Sequence, residues 1–91
     1  MGEEPPLVRV YLTGSALSEG VIEEAWGRIH GDCCFVEAGL TARSIPGEGT
    51  HWHRKRWAAE NYARQLQAAR LGILREEIAR LEGYRFGRAG R

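Results

Sequence analysis

The chain has 91 residues, a formal net charge of +1, 43% hydrophobic residues and 27% charged ones. That length allows one domain with a small core, burying about 60–65% of the unfolded chain's surface, and the composition excludes global disorder. No apolar run approaches the roughly 18 residues that span a bilayer, and Met1-Gly-Glu-Glu-Pro-Pro lacks the features of a signal peptide, so a cytoplasmic protein without membrane contact is expected.

The near-neutral total hides a division at Thr50. Residues 1–50 carry three Arg against eight Asp or Glu, whereas residues 51–91 carry ten Arg or Lys against four Glu. The break coincides with a basic, aromatic run, His51-Trp52-His53-Arg54-Lys55-Arg56-Trp57. Such a run suits a phosphate backbone with stackable bases, and equally an acidic protein surface.

In chain order, residues 1–6 read as a flexible terminus. Residues 7–13 alternate, Val8, Val10 and Leu12 against Arg9, Tyr11 and Thr13, which predicts a strand with one buried face. Gly14 and Ser15 break it. Ser18, preceded by Leu17 and followed four positions on by Ile22, forms a helix start with a hydrophobic staple. The helix is expected over 19–30, with Val21, Ile22, Ala25, Trp26 and Ile29 inward and Gly31 just past its end. Cys33-Cys-Phe-Val-Glu-Ala38 predicts a second strand, set parallel to the first by a right-handed crossover. Its adjacent cysteines point to opposite faces and read as free thiols.

Extended segments over 41–45 and 50–54 flank Pro46-Gly-Glu-Gly49, whose Pro-Gly pair fits a type II turn, so this region is either a hairpin or an irregular loop. The last element is a helix over about 55–82, ended by Gly83, with Glu60 and Arg64, and Glu76 and Arg80, spaced to pair. At 1.5 Å per residue it is roughly 40 Å long and must overhang so small a domain. Its apolar pattern has a joint at Gly72. Ala59, Tyr62, Leu66, Ala69 and Ile73 form one stripe, and Leu71, Leu74, Ile78 and Leu81 another on a different face. Either the first stripe packs on the domain while the second meets a partner, most economically a second copy, or a kinked helix folds both over one core. Residues 83–91 read as a basic flexible tail.

The expected fold is therefore a small α+β domain spanning 7–82, in β-α-β-β-α order, with a three-stranded sheet covered by helices and a long protruding C-terminal helix. For function, His51, Trp52, His53, Arg54, Lys55, Arg56, Arg64, Arg85 and Arg88 form the expected nucleic-acid-binding set, with Trp52, Tyr84 and Phe86 as stacking surfaces. No motif of fixed spacing distinguishes RNA from DNA. Cations in the first turn of a helix oppose its dipole, so Arg54 to Arg56 need an anion or an acidic neighbour. Leu71, Leu74, Ile78 and Leu81 form the expected homodimer or partner interface.

A metal site is not expected, because His51-x-His53 with Cys33, Cys34 or His30 lacks established ligand spacing. Nor is a nucleotide site expected: Thr13-Gly14-Ser15 completes no phosphate-loop pattern. No catalytic group and no cofactor are expected, since cysteines in an apolar strand tend to be inert and no third orienting group accompanies a Cys–His pair. The sequence thus points to a small, dimeric, non-enzymatic module holding RNA or DNA. The competing readings are a regulatory module or inhibitor docking through the last helix and, more remotely, a zinc- or thiol-dependent enzyme.

Overall fold

A computed structural model describes residues 4–38 and 41–87; the expected terminal segments 1–6 and 83–91 reach outside that range at 1–3 and 88–91. The elements in order are β1 Val8–Leu12, α1 Ala16–Glu19, β2 Glu23–His30, β3 Cys33–Ala38, β4 Thr41–Pro46, β5 Trp52–His53 and α2 Arg56–Glu82. The sheet is five-stranded in the order β4-β3-β2-β1-β5, and every pairing is antiparallel. It is a four-strand meander that curls until the short β5 returns to the free edge of β1, making a half-barrel.

This corrects the expected three-stranded sheet and its parallel crossover. The segment 19–30 is the cause. Only one helical turn forms, α1, and Gly20 ends it in the left-handed conformation at φ 71°. The chain then runs as β2, and Gly31 lies in the turn to β3 instead of capping a helix. The apolar residues that read as a helical stripe belong to opposite sheet faces: Ala25, Gly27 and Ile29 face inward beside Val10, Val8 and Cys34, while Trp26 and Arg28 face outward. The inward positions include Ala and Gly, so the two-residue alternation is faint, whereas outward Trp26 completes a false 3.6-residue period.

The small residue at 27 is required. A Cβ there would lie 2.5 Å from Cys34 Sγ and 3.1 Å from the Phe35 carbonyl oxygen, so β3 approaches as closely as a backbone allows. The core fills the concave face: Val10, Leu12, Cys34, Val36 and Trp52 are buried, with Val8, Ala25, Ile29 and Ile45 packed around them.

Residues 46–49 do not close a hairpin between β4 and β5, which lie at opposite edges of the sheet. They form a loop fastened to the β2–β3 turn by Asp32. The Gly47 amide donates to the Asp32 carbonyl at 3.1 Å and its Oδ2 at 2.9 Å, the Glu48 amide donates to Oδ1 at 3.0 Å, and Trp52 Nε1 donates to the Asp32 carbonyl at 3.0 Å. One residue thereby draws the two ends of the curled sheet together.

The long helix forms as expected, and Gly83 follows it. Ala59 is buried and Tyr62, Ala63 and Leu66 are half-buried; from Gln67 to Glu82 every residue but Gly72 is exposed. The overhang shows in the dimensions, 76 × 27 × 22 Å, and in a radius of gyration of 20.0 Å, against about 12 Å for a compact chain of this length. The expected Glu60–Arg64 pairing is replaced by Arg56–Glu60 at 3.1 Å, and Glu76 and Arg80 form no ion pair among the described residues. Arg56 reaches back to the sheet, to Glu24 at 3.3 Å, and draws Glu60 toward itself.

Two glycine substitutions should separate these environments. Gly27→Ala should cost about 1–3 kcal/mol through overpacking, whereas Gly72→Ala, which meets nothing within 4 Å, should gain up to about 1 kcal/mol from helix propensity. Urea unfolding followed by circular dichroism reads both.

Candidate functional site

The basic, aromatic run divides once its residues take their places. Trp52 pairs with Leu12 across the β1–β5 edge and points into the concave core, where its side chain is 0% exposed. It cannot stack a base while the domain is folded, which corrects its expected role. His53, the next residue, points to the opposite face. There α2 crosses β1 and β5, and the imidazole is 2% exposed against Tyr62, with ring centroids 5.4 Å apart.

The hydrogen bonds fix the tautomer of His53. The Thr13 hydroxyl has one proton and donates it to the Thr50 carbonyl at 2.7 Å. The 3.2 Å contact between Thr13 Oγ1 and His53 Nε2 is therefore made by an Nε2–H donor. Burial pushes the pKa of this imidazole below its usual value near 6.5, partly offset by the charge of Glu48. His53 is a neutral structural pin between sheet and helix, unavailable to a ligand. His51 is exposed and meets its neighbour's hydroxyl, Thr50 Oγ1 to Nδ1 at 3.2 Å, so the two imidazoles do not share one environment.

The cations beside them are largely neutralised within the chain. Arg54 binds Glu48, Nε to Oε2 at 2.6 Å, which raises its pKa further, and its guanidinium lies 5.8 Å from the Trp52 ring centroid. Arg56 is held by Glu24 and Glu60. The acidic neighbours that the helix dipole demands are thus present, although Glu24 lies on a strand and not on the helix expected there. Lys55 and Arg64 remain exposed without an ion-pair partner among the described residues, and Arg85 donates to the Glu82 and Tyr84 carbonyls at the helix end. Arg88 lies outside the described residues.

The other candidates fall in separate places. Cys34 is in the core, where burial pushes its thiol pKa up, and Cys33 is half-buried on the outer face; both are free. His30 packs edge-on against Phe35 at 5.0 Å. No three His, Cys, Asp or Glu side chains stand together as metal ligands among the described residues. The Thr13 hydroxyl is committed to Thr50 and His53, and α1 is a single turn, too short to gather amides around a phosphate.

The four residues of the expected interface stay together on one exposed surface. Leu71, Leu74, Ile78 and Leu81 are 38–56% exposed along the overhanging half of α2. Sequence reasoning missed a second feature, a shallow groove of about 420 Å³ where α1 and the loop after it meet α2, lined by Leu17, Val21, Ile22, Ala63, Arg64 and Gln67. Its signal was hidden because Leu17, Val21 and Ile22 read as the staple and inner stripe of a longer helix. Comparison with protein families, curated proteins and solved structures finds no match for this chain, so the site's own chemistry carries the reading.

Trp52→Ala should cost about 3–5 kcal/mol of stability, as deletion of a core aromatic does, and Lys55→Ala less than 0.5 kcal/mol. His53 also sets a pH dependence. With the folded pKa depressed, the unfolded state binds the proton first, so this stability is present above about pH 6.5 and is lost as pH falls through the folded value. Thermal melts from pH 8 to pH 5 should show a loss that shrinks in His53→Gln.

Proposed function

We propose that this chain is a small non-enzymatic interaction module, a curled-sheet head that holds out a helical arm whose apolar stripe docks on the helix of a protein partner. One observation carries the reading: Leu71, Leu74, Ile78 and Leu81 recur at steps of three and four on a helix whose second half, Gly72 apart, is exposed throughout. The head supports it by anchoring the root of the arm through buried Ala59, the tilted Tyr62–His53 ring contact and the Arg56–Glu24 pair.

The nucleic-acid alternative loses one of its three stacking groups in Trp52, and Arg54 and Arg56 are already paired. What remains to it among the described residues is exposed His51, Lys55 and Arg64, with Tyr84, Arg85 and Phe86 beyond the helix end, scattered over helix and tail.

The two readings separate by salt and by side chain. Chemical cross-linking in extracts of the source cells, with mapping by mass spectrometry, should give protein adducts on residues 67–85. These should persist from 50 to 500 mM salt and disappear in Leu74→Asp/Ile78→Asp. Labelled RNA and DNA should bind no more tightly than the 100 µM range at 50 mM salt. Tighter binding that collapses by 200 mM and is lost on neutralising Lys55 and Arg64 would reverse the conclusion.

A further inference from the structure

We propose that the occupant of the arm is a second copy of this chain, bound antiparallel, so that the segment Leu81–Phe86 of each copy lies in the groove between α1 and α2 of the other. The inference rests on the reading of the arm as a docking surface and adds its partner, its orientation and a second site.

Continuity is the first observation. Glu60, Arg64 and Gln67 line the groove from the α2 side, and Leu71, Leu74, Ile78 and Leu81 follow Gln67 at steps of four and three. Groove and stripe are one track on a single helix face. The far side of the groove supplies Leu17 and Val21, 51% and 46% exposed. The free end of the arm supplies exposed groups to fill it, Leu81, Tyr84 and Phe86, the last 91% exposed. A groove and a plug at opposite ends of one track satisfy each other in a closed two-fold pair.

Charge fixes the orientation. With Leu71 and Ile78 at heptad position a and Leu74 and Leu81 at d, the flanking g positions are Arg70 and Glu77, and the flanking e positions are Arg75 and Glu82. None of these four makes an ion pair among the described residues. In a parallel pair, g faces e, which sets Arg70 against the partner's Arg75 and Glu77 against the partner's Glu82, like charges at every place. In an antiparallel pair, g faces g. With Leu71 opposite the partner's Leu74, Arg70 then meets the partner's Glu77 twice over.

The same register carries the tail to the groove, setting Leu81 beside the partner's Arg64 and directing the chain after Gly83 toward the partner's Glu60. The basic end of one copy thereby comes to the acidic first half of the other. Sliding the helices to put Leu71 opposite the partner's Leu81 makes four apolar layers, against two in the first register, where Ile78 meets the partner's Gln67 and Leu81 enters its groove. It also opposes Arg75 to Arg75 and Glu77 to Glu77 across the axis, and leaves Leu81 beside the partner's Leu71, four residues short of the groove at Gln67.

Sedimentation velocity with charge-swapped variants tests this at about 150 mM salt. Wild type should be a dimer. Arg70→Glu and Glu77→Arg should each raise the dissociation constant roughly fivefold, as expected for reversing two surface pairs of a few tenths of a kcal/mol each, and the double swap should return it close to wild type. Phe86→Asp and Leu17→Asp should each weaken the dimer tenfold or more with an unchanged circular dichroism spectrum. Under mild oxidation, Leu71→Cys mixed with Leu74→Cys should give the mixed disulfide, located by peptide mapping. A parallel pair would invert these results: Arg70→Glu would tighten the dimer against Arg75, and Leu71→Cys would link to itself. Either result overturns the proposal. A monomer at 100 µM overturns the second copy as partner while the cross-linking of residues 67–85 still judges the arm, and a dimer that survives Leu74→Asp/Ile78→Asp overturns both.

Discussion

Everything outside the meander depends on Asp32. A sheet of four short antiparallel strands has an open concave face and two free edges, and neither is stable in water without cover. Asp32, in the two-residue turn between β2 and β3, takes the amides of Gly47 and Glu48 on its carboxylate and the indole N–H of Trp52 on its carbonyl. The loop after β4 is thereby carried across the mouth of the half-barrel. Trp52 drops into the concave face as its largest fully buried side chain, and β5 lands on the edge of β1 with Leu12 opposite Trp52. Two consequences follow from strand alternation alone: with Trp52 inward, His53 is outward, and the chain leaves the sheet on the convex side. That is where α2 must begin, and the pin of Thr13, His53 and Tyr62 fixes the direction in which it departs.

How much of this the amino-acid order disclosed depends on whether local or distant residues set each element. The long helix was legible because its good helix formers act locally, and β1 because Val8, Val10 and Leu12 alternate without interruption against polar neighbours. The strand Cys33–Ala38 was legible as a run of buried-type residues. β2 was not, because what suppresses its alternation is Gly27, and the reason for Gly27 is the close approach of Cys34 and Phe35 from another strand. The role of Trp52 was misread on the same ground. A tryptophan beside arginines has two uses, a stacking face or a core filler, and the choice here is made by Asp32, 20 residues away. The exposure of Leu71, Leu74, Ile78 and Leu81 follows from helix length alone, and so does that of Ala69 and Ile73, which the sequence assigned to the stripe packed on the domain.

The charge division also takes on a physical meaning in the fold. Glu24 and Glu48, from the acidic half, neutralise Arg56 and Arg54 at the start of α2, where positive charge is least welcome beside the helix dipole. The head therefore spends two carboxylates on holding the root of the arm. Farther along α2 no such neighbours stand among the described residues, and Arg70, Arg75, Glu77 and Glu82 face solvent. The cations that looked like one cluster in sequence are thus two sets, one satisfied at the root and one left along the arm.

This distribution bears on why the arm is a helix at all. Residues 67–82 gain almost nothing from tertiary packing, and isolated helices of about 12–15 residues are marginal in water even when their sequences favour helix. Within the chain, the first turns are nucleated on the head by Ala59 and Tyr62, and the rest propagates from that nucleus at the low cost of adding residues to an existing helix. Propagation explains how the arm can be helical, but offers no compensation for five large apolar side chains left in water, Leu71, Ile73, Leu74, Ile78 and Leu81, each worth about 1.5–3 kcal/mol when fully buried. Placing four of them on one face concentrates that free energy where a facing helix can recover it, and the anchored root allows it to be recovered without first ordering the arm. The head's contribution to function is therefore pre-organisation: the curled sheet, its tryptophan and its clasp determine where the stripe points before any partner arrives.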